Sequence, residues 1–97
     1  MINLKRLQDQ LVIDEGLELK PYRCSADKLT IGVGRNIQEV GITKDEAMTL
    51  LANDIARCAG ECTREFPWFA ELTPLRKEAV INLVFNMGMA TFKKFKK

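Results

Sequence analysis

Between Thr73 and Gly88 lies a segment that is apolar on almost every side. Thr73 followed by Pro74 is a helix start, with an N-cap hydroxyl and a proline at the first helical position, and Gly88 is a helix stop. At about 100° per residue, Leu75, Ala79, Val80, Ile81, Leu83, Val84, Phe85 and Met87 surround nearly the whole circumference. Such a helix demands partners all round. A chain of 97 residues is one small domain's worth, so few other elements are available to cover it.

Those elements can be read in order. Leu4, Leu7 and Leu11 recur at helical spacing, and Gly16 should end that helix. From Leu19 to Gly41 the chain is rich in turn formers. Pro21, the Ser25-Ala26-Asp27-Lys28 turn and the run Leu29-Thr30-Ile31-Gly32-Val33-Gly34 predict a hairpin or a three-stranded antiparallel sheet. Glycines within that run point to close backbone approach. Thr43-Lys44-Asp45-Glu46 is a capping box, and a helix of about five turns should follow to about Glu65. Ala47, Met48, Leu51, Ala52, Ile55, Cys58, Ala59 and Cys62 form its apolar stripe. Phe66-Pro67-Trp68-Phe69 then interrupts the helix before the segment at Pro74. The expected class is α+β: one domain over 1–97, with a helix and small sheet in 1–42, a connecting helix in 43–65 and a helical part in 66–97.

Charge and cysteine usage exclude several classes. Fifteen basic residues stand against 13 acidic ones, and Lys93, Lys94, Lys96 and Lys97 supply the whole positive excess. No basic stripe runs through the body, so no nucleic-acid partner is expected. No apolar run approaches the roughly 20 residues of a membrane helix, so no stable membrane insertion is expected. Met1 to Arg6 has no apolar h-region, and no secretory signal is expected. Cys24, Cys58 and Cys62 cannot all pair with one another, which favours free thiols in a reducing compartment. Cys58 and Cys62 are one helical turn apart, but the chain has no histidine and no CxxC. No metal or cofactor is expected, and both cysteines read as small buried hydrophobes.

Glu15 is the sharpest local anomaly. It lies only about 20° round the helix from Leu4 and so prolongs the apolar stripe at its C-terminal end. Desolvation there would disfavour the charged form and give a carboxyl able to donate a proton near neutral pH, as general acid catalysis requires. A stripe that frays, with Glu15 turned to solvent, is the competing reading.

Further pieces bear on that choice. Ile13-Asp14-Glu15-Gly16-Leu17, Lys20-Pro21-Tyr22-Arg23 and Leu29-Thr30-Ile31-Gly32-Val33-Gly34-Arg35-Asn36 are followed by Gly41-Ile42-Thr43-Lys44-Asp45-Glu46-Ala47 and Ala79-Val80-Ile81-Asn82-Leu83-Val84-Phe85-Asn86-Met87-Gly88. Taken in this order, they resemble the phage-type lysozymes, the bacteriophage endolysin muramidases. The likeness covers nearly the whole chain and implies a lysozyme-like fold.

It also implies a set of roles. The family pattern is a glutamate, eight residues, an aspartate or cysteine, five residues and a threonine; here Glu15, Cys24 and Thr30 stand at those spacings. By resemblance, Glu15 is the general acid for the β-1,4 bond between N-acetylmuramic acid and N-acetylglucosamine in peptidoglycan. Cys24 and Thr30 would position the attacking water, with inversion at the anomeric carbon. Cys24 departs from the aspartate form. A thiol at the ordinary value of about 8.5 is mostly neutral at pH 7 and a poorer base. A thiolate nucleophile is the bolder alternative for it, and a loop cysteine without a role the blander one. Asn36, Phe85 and Asn86 match positions lining the family's glycan cleft, while each could equally be a capping amide or a core ring. Arg35 stands where many relatives have histidine and receives no catalytic role.

The resemblance further implies a host-cytoplasmic, bacteriolytic hydrolase that reaches the cell wall through a membrane pore. The family's domain normally continues through several more helices beyond the region of Phe92, including an arginine that pairs with the catalytic glutamate. A shortened peptidoglycan-binding fragment of weak or no activity is therefore one rival expectation. Another is a small helical interaction module. For the chain as it stands, either self-association through 74–87 or loose packing of the C-terminal third is expected.

Overall fold

A computed structural model of the chain describes residues 1–95. It holds four α-helices and a three-stranded antiparallel sheet among the described residues, in the α+β class expected. Two compact units divide the described residues, 1–43 and 44–95.

In the first unit, α1 (Leu4–Glu15) starts where the Asn3 side chain accepts the Arg6 N–H at 3.0 Å, and ends at Gly16, φ +81°. Three strands follow in spatial order β1 (Glu18–Arg23), β2 (Leu29–Gly32) and β3 (Arg35–Asn36). Pro21 cannot donate to a ladder, and it sits in edge strand β1 where the register slips between Glu18 and Tyr22. The β1–β2 loop is a turn closed by Asp27 N–H to the Cys24 carbonyl at 2.8 Å. Asp27 takes φ +60°, and Cys24 N–H returns to the Lys28 carbonyl at 3.0 Å. This is the three-residue hairpin in which a left-handed residue forms the bulge. Gln38 Oε1 accepts the Leu29 N–H at 3.1 Å, and Lys28 pairs with Glu39 at 2.7 Å, tying the hairpin end to the segment after β3.

The second unit contains α2 (Lys44–Glu65), a 3₁₀ turn (Phe69–Glu71), α3 (Pro74–Met87) and α4 (Met89–Phe95). Its core is Cys58, Cys62, Phe66, Phe69, Val84 and Phe92. Phe66 stacks on Trp68 with centroids 4.8 Å apart and meets Phe92 edge-on at 5.4 Å. The aromatic interruption after α2 is thus the centre of this core. Lys93 reaches Glu65 at 2.7 Å, bridging α4 to the end of α2 and holding the Glu65 carboxyl below its usual range. Lys96 and Lys97 of the basic tail lie outside the described residues.

Three expectations change in detail. The α2 stripe is buried only at Cys58 and Cys62, because the aromatic cluster and α3 converge on that end; Met48 and Ile55 are exposed. A short helix, α4, follows Gly88, which starts a new helix as well as ending α3. On α1, Leu4, Leu7 and Leu11 are all exposed and no residue is buried. On α3, which takes the expected Thr73 cap and Gly88 stop, Val84 alone is buried.

Candidate functional site

In the first unit the site residues fall on three pieces of backbone. Thr30 is central in β2, 3 % exposed and the sole buried polar residue among those described. The register places it opposite Tyr22 on β1 and Asn36 on β3, so the three form one row across the sheet. Its hydroxyl donates to the Lys28 carbonyl at 2.8 Å. Asn36 turns its side chain to Glu39, with Oδ1 accepting the Glu39 N–H at 3.0 Å and the amide donating to Glu39 Oε2 at 3.4 Å.

Cys24 heads the β1–β2 loop, half-buried and free. Its thiol lies below the ordinary cysteine value, chiefly because the Lys28 backbone N–H is directed at the sulfur and stabilises thiolate, with the Thr30 hydroxyl and the Ala26 N–H adding to it. Thr30 has one hydroxyl proton to give. While it serves the Lys28 carbonyl it cannot also serve the sulfur, so the Lys28 N–H is the firmer cause. The thiol departs from the ordinary value toward thiolate because the tight loop turns backbone donors onto it. Lys28 organises this corner through its N–H and its carbonyl, and spacing in the sequence gave no sign of it.

Glu15, the last residue of α1, is exposed. The desolvation expected from the apolar stripe is absent, since the stripe itself is uncovered. The carboxyl lies beside the β2–β3 turn: a β-carbon placed on Gly34 would be 3.3 Å from Glu15 Oε2. The first unit thus links Cys24 to Thr30, and Thr30 to Asn36, and sets Glu15 against Gly34.

In the second unit, Phe85 and Asn86 line a groove of about 300 Å³ with Leu51, Ile55, Glu78, Ile81 and Asn82. The Asn86 amide donates to Asn82 Oδ1 at 2.7 Å and to its carbonyl at 2.9 Å. Asn82, one turn before Asn86, is a second amide of the groove that went unassigned in the sequence. The groove's mix of ring, aliphatic wall and amides suits a ligand with apolar faces and hydroxyl or acetamido groups. Among the described residues no group of three or more histidine, cysteine or carboxylate side chains could hold a metal ion. Cys58 and Cys62 are core residues, and burial with the neighbouring Cys58 thiol pushes Cys62 up to about 11.

The sequence model of the phage lysozyme family matches residues 13–96. The chain belongs to that family. It is 38 % identical over 82 residues to the endolysin of Acyrthosiphon pisum secondary endosymbiont phage 1, an alignment that takes in 80 % of this chain and 54 % of the relative. The chain spans about half the length of that curated relative. With the family shown, the small sheet and helices constitute the α+β lysozyme-like fold that the motifs implied. No helix among the described residues is long and apolar enough to cross a membrane.

Proposed function

We propose that the chain is an endolysin-type glycoside hydrolase that cleaves the β-1,4 bond between N-acetylmuramic acid and N-acetylglucosamine in peptidoglycan. The observation that carries this reading is the hairpin corner of a phage lysozyme family member: the Cys24 N–H and the Thr30 hydroxyl both donate to the Lys28 carbonyl, within the unit whose first helix ends in Glu15.

Each residue has a task in such a cleavage. Glu15 donates its proton to the glycosidic oxygen as the bond to the anomeric carbon breaks. A water attacks that carbon from the opposite face, which inverts its configuration. Cys24, biased toward thiolate by the Lys28 N–H, accepts a hydrogen bond from this water and takes up its proton. Thr30, fixed by its bond to the Lys28 carbonyl, keeps an oxygen at the same corner to orient the water. Each within its own unit, the amides of Asn36 and of Asn86 are assigned to hydroxyl and acetamido groups of the polymer, and the Phe85 ring to a sugar face. Peptidoglycan is the partner, reached from the host cytoplasm through a membrane pore.

Clearing of cell-wall suspensions by the chain and by Glu15→Gln tests this. The expected result is clearing by the former and none by the latter, with product NMR showing inversion. Clearing by Glu15→Gln at the unsubstituted rate would overturn the assignment. Retention on purified peptidoglycan without clearing by either protein would indicate wall binding in place of hydrolysis.

A further inference from the structure

Gly32 and Gly34 flank Val33 in the β2–β3 turn, and both take φ +72°. Side chains with a β-carbon rarely adopt that region, so turn geometry accounts for the two glycines alike. Space distinguishes them. A β-carbon on Gly32 would meet nothing within 4 Å, whereas one on Gly34 would lie 3.3, 3.6 and 3.7 Å from Oε2, Cδ and Cγ of Glu15. Three atoms of one side chain thus rest on the bare face of Gly34. Glu15 is exposed at the end of α1, where a long side chain is otherwise free to rotate.

We propose that Gly34 is a positioning residue for Glu15, its missing β-carbon giving the carboxyl a seat on the turn that follows Thr30 and precedes Asn36. The proposal rests on the reading of Glu15 as general acid. A contact at 3.3 Å is tight, but Glu15 can swing away through solvent, so an added methyl displaces the carboxyl with little further harm to folding. Proton transfer depends on reach, and small misplacements of a reacting group are costly.

The two glycines form a matched pair. NMR of the full chain with ¹³C-labelled glutamate and ¹⁵N-labelled glycine reads the contact between Glu15 and Gly34. Glu15→Gln should shift the Gly34 amide signal and leave that of Gly32 in place. Gly34→Ala should shift the Glu15 carboxyl signal while Gly32→Ala leaves it in place, although both lose similar thermal stability. Wall clearing should fall about tenfold further in Gly34→Ala than in Gly32→Ala. Should either alanine variant fail to fold, Gly32→Asn and Gly34→Asn repeat the comparison with a residue that tolerates positive φ. A Gly34 amide indifferent to Glu15, or equal carboxyl signals and clearing in the paired variants, would overturn the proposal. Failure of the general-acid reading is seen separately, as clearing by Glu15→Gln while the amide response still depends on Glu15.

Discussion

The Thr30 hydroxyl donates to the Lys28 carbonyl at 2.8 Å, and that carbonyl also accepts the Cys24 N–H at 3.0 Å. One peptide oxygen therefore fixes both groups proposed to handle the water. Thr30→Val keeps the shape and deletes the donor. Because the Lys28 carbonyl retains its Cys24 partner, the loss of stability should be only about 1 kcal/mol in urea unfolding. Wall clearing should drop much more than stability, and Thr30→Ser should restore most of it. A Val variant as active as Thr30 would show the hydroxyl to be structural alone.

Glu15→Gln should leave unfolding free energy within about 0.5 kcal/mol of the unsubstituted chain, since the carboxyl is exposed and no burial is relieved. Thermal unfolding at pH 7 checks this beside the clearing assay. A gain of several degrees would mean that Glu15 is desolvated after all.

What the sequence made legible divides along physical lines. The ends of α1 and α3 were readable because Gly16, Thr73, Pro74 and Gly88 act through local backbone geometry. The row Tyr22–Thr30–Asn36 was not, since the pairing depends on how the turn closes, with Asp27 at positive φ, and a turn signal alone does not fix that register. Periodicity misled at Glu15: an apolar stripe on α1 says which face would be buried, while burial requires something to cover it. The seat at Gly34 was beyond reach for a similar reason, because positive φ hides any second role a glycine has.

The three thiols should separate by reactivity. Cys24 is half-exposed with thiolate favoured by the Lys28 N–H, whereas Cys62 is 0 % exposed and pushed up to about 11. Iodoacetamide at pH 7.5 should label Cys24 first, and Cys58 and Cys62 only on unfolding. The sign for stability follows. A depressed folded-state value stabilises the fold fully above the unfolded value of about 8.5, and that contribution fades as pH falls through the folded value. Cys24→Ser should flatten the pH dependence of stability in that window, as read by urea titrations from pH 6 to 9. Cys24→Asp should keep clearing activity; a trapped sugar–thiol adduct in mass spectrometry would make Cys24 a nucleophile instead.

Phe92 anchors α4 through its edge-on contact with Phe66, and Lys93 beside it holds Glu65. Phe92→Ala should cost about 3–5 kcal/mol, as truncating a core ring does, and most of that is independent of salt. Lys93→Met should cost far less, because its ion pair is half-exposed and solvent screens it. Hydrogen exchange should show α4 opening in the first variant and remaining protected in the second.

Three large apolar side chains of α3 are exposed. Leu75 is 76 % exposed, Leu83 48 % and Phe85 48 %, on a helix with a single buried residue. Covering such side chains is worth roughly 1.5–3 kcal/mol each, which favours association of copies as concentration rises. Leu75 and Leu83 line a shallow surface with Ala79 and Asn82, apart from the core built on Val84 and the aromatic cluster. Leu75→Gln with Leu83→Gln should therefore leave unfolding free energy within about 1 kcal/mol, because little buried contact is lost. Sedimentation equilibrium should show the unsubstituted chain associating and the double variant shifted toward monomer. A chain that stays monomeric to high concentration, or a double variant that associates as before, would rule out α3 as the contact between copies.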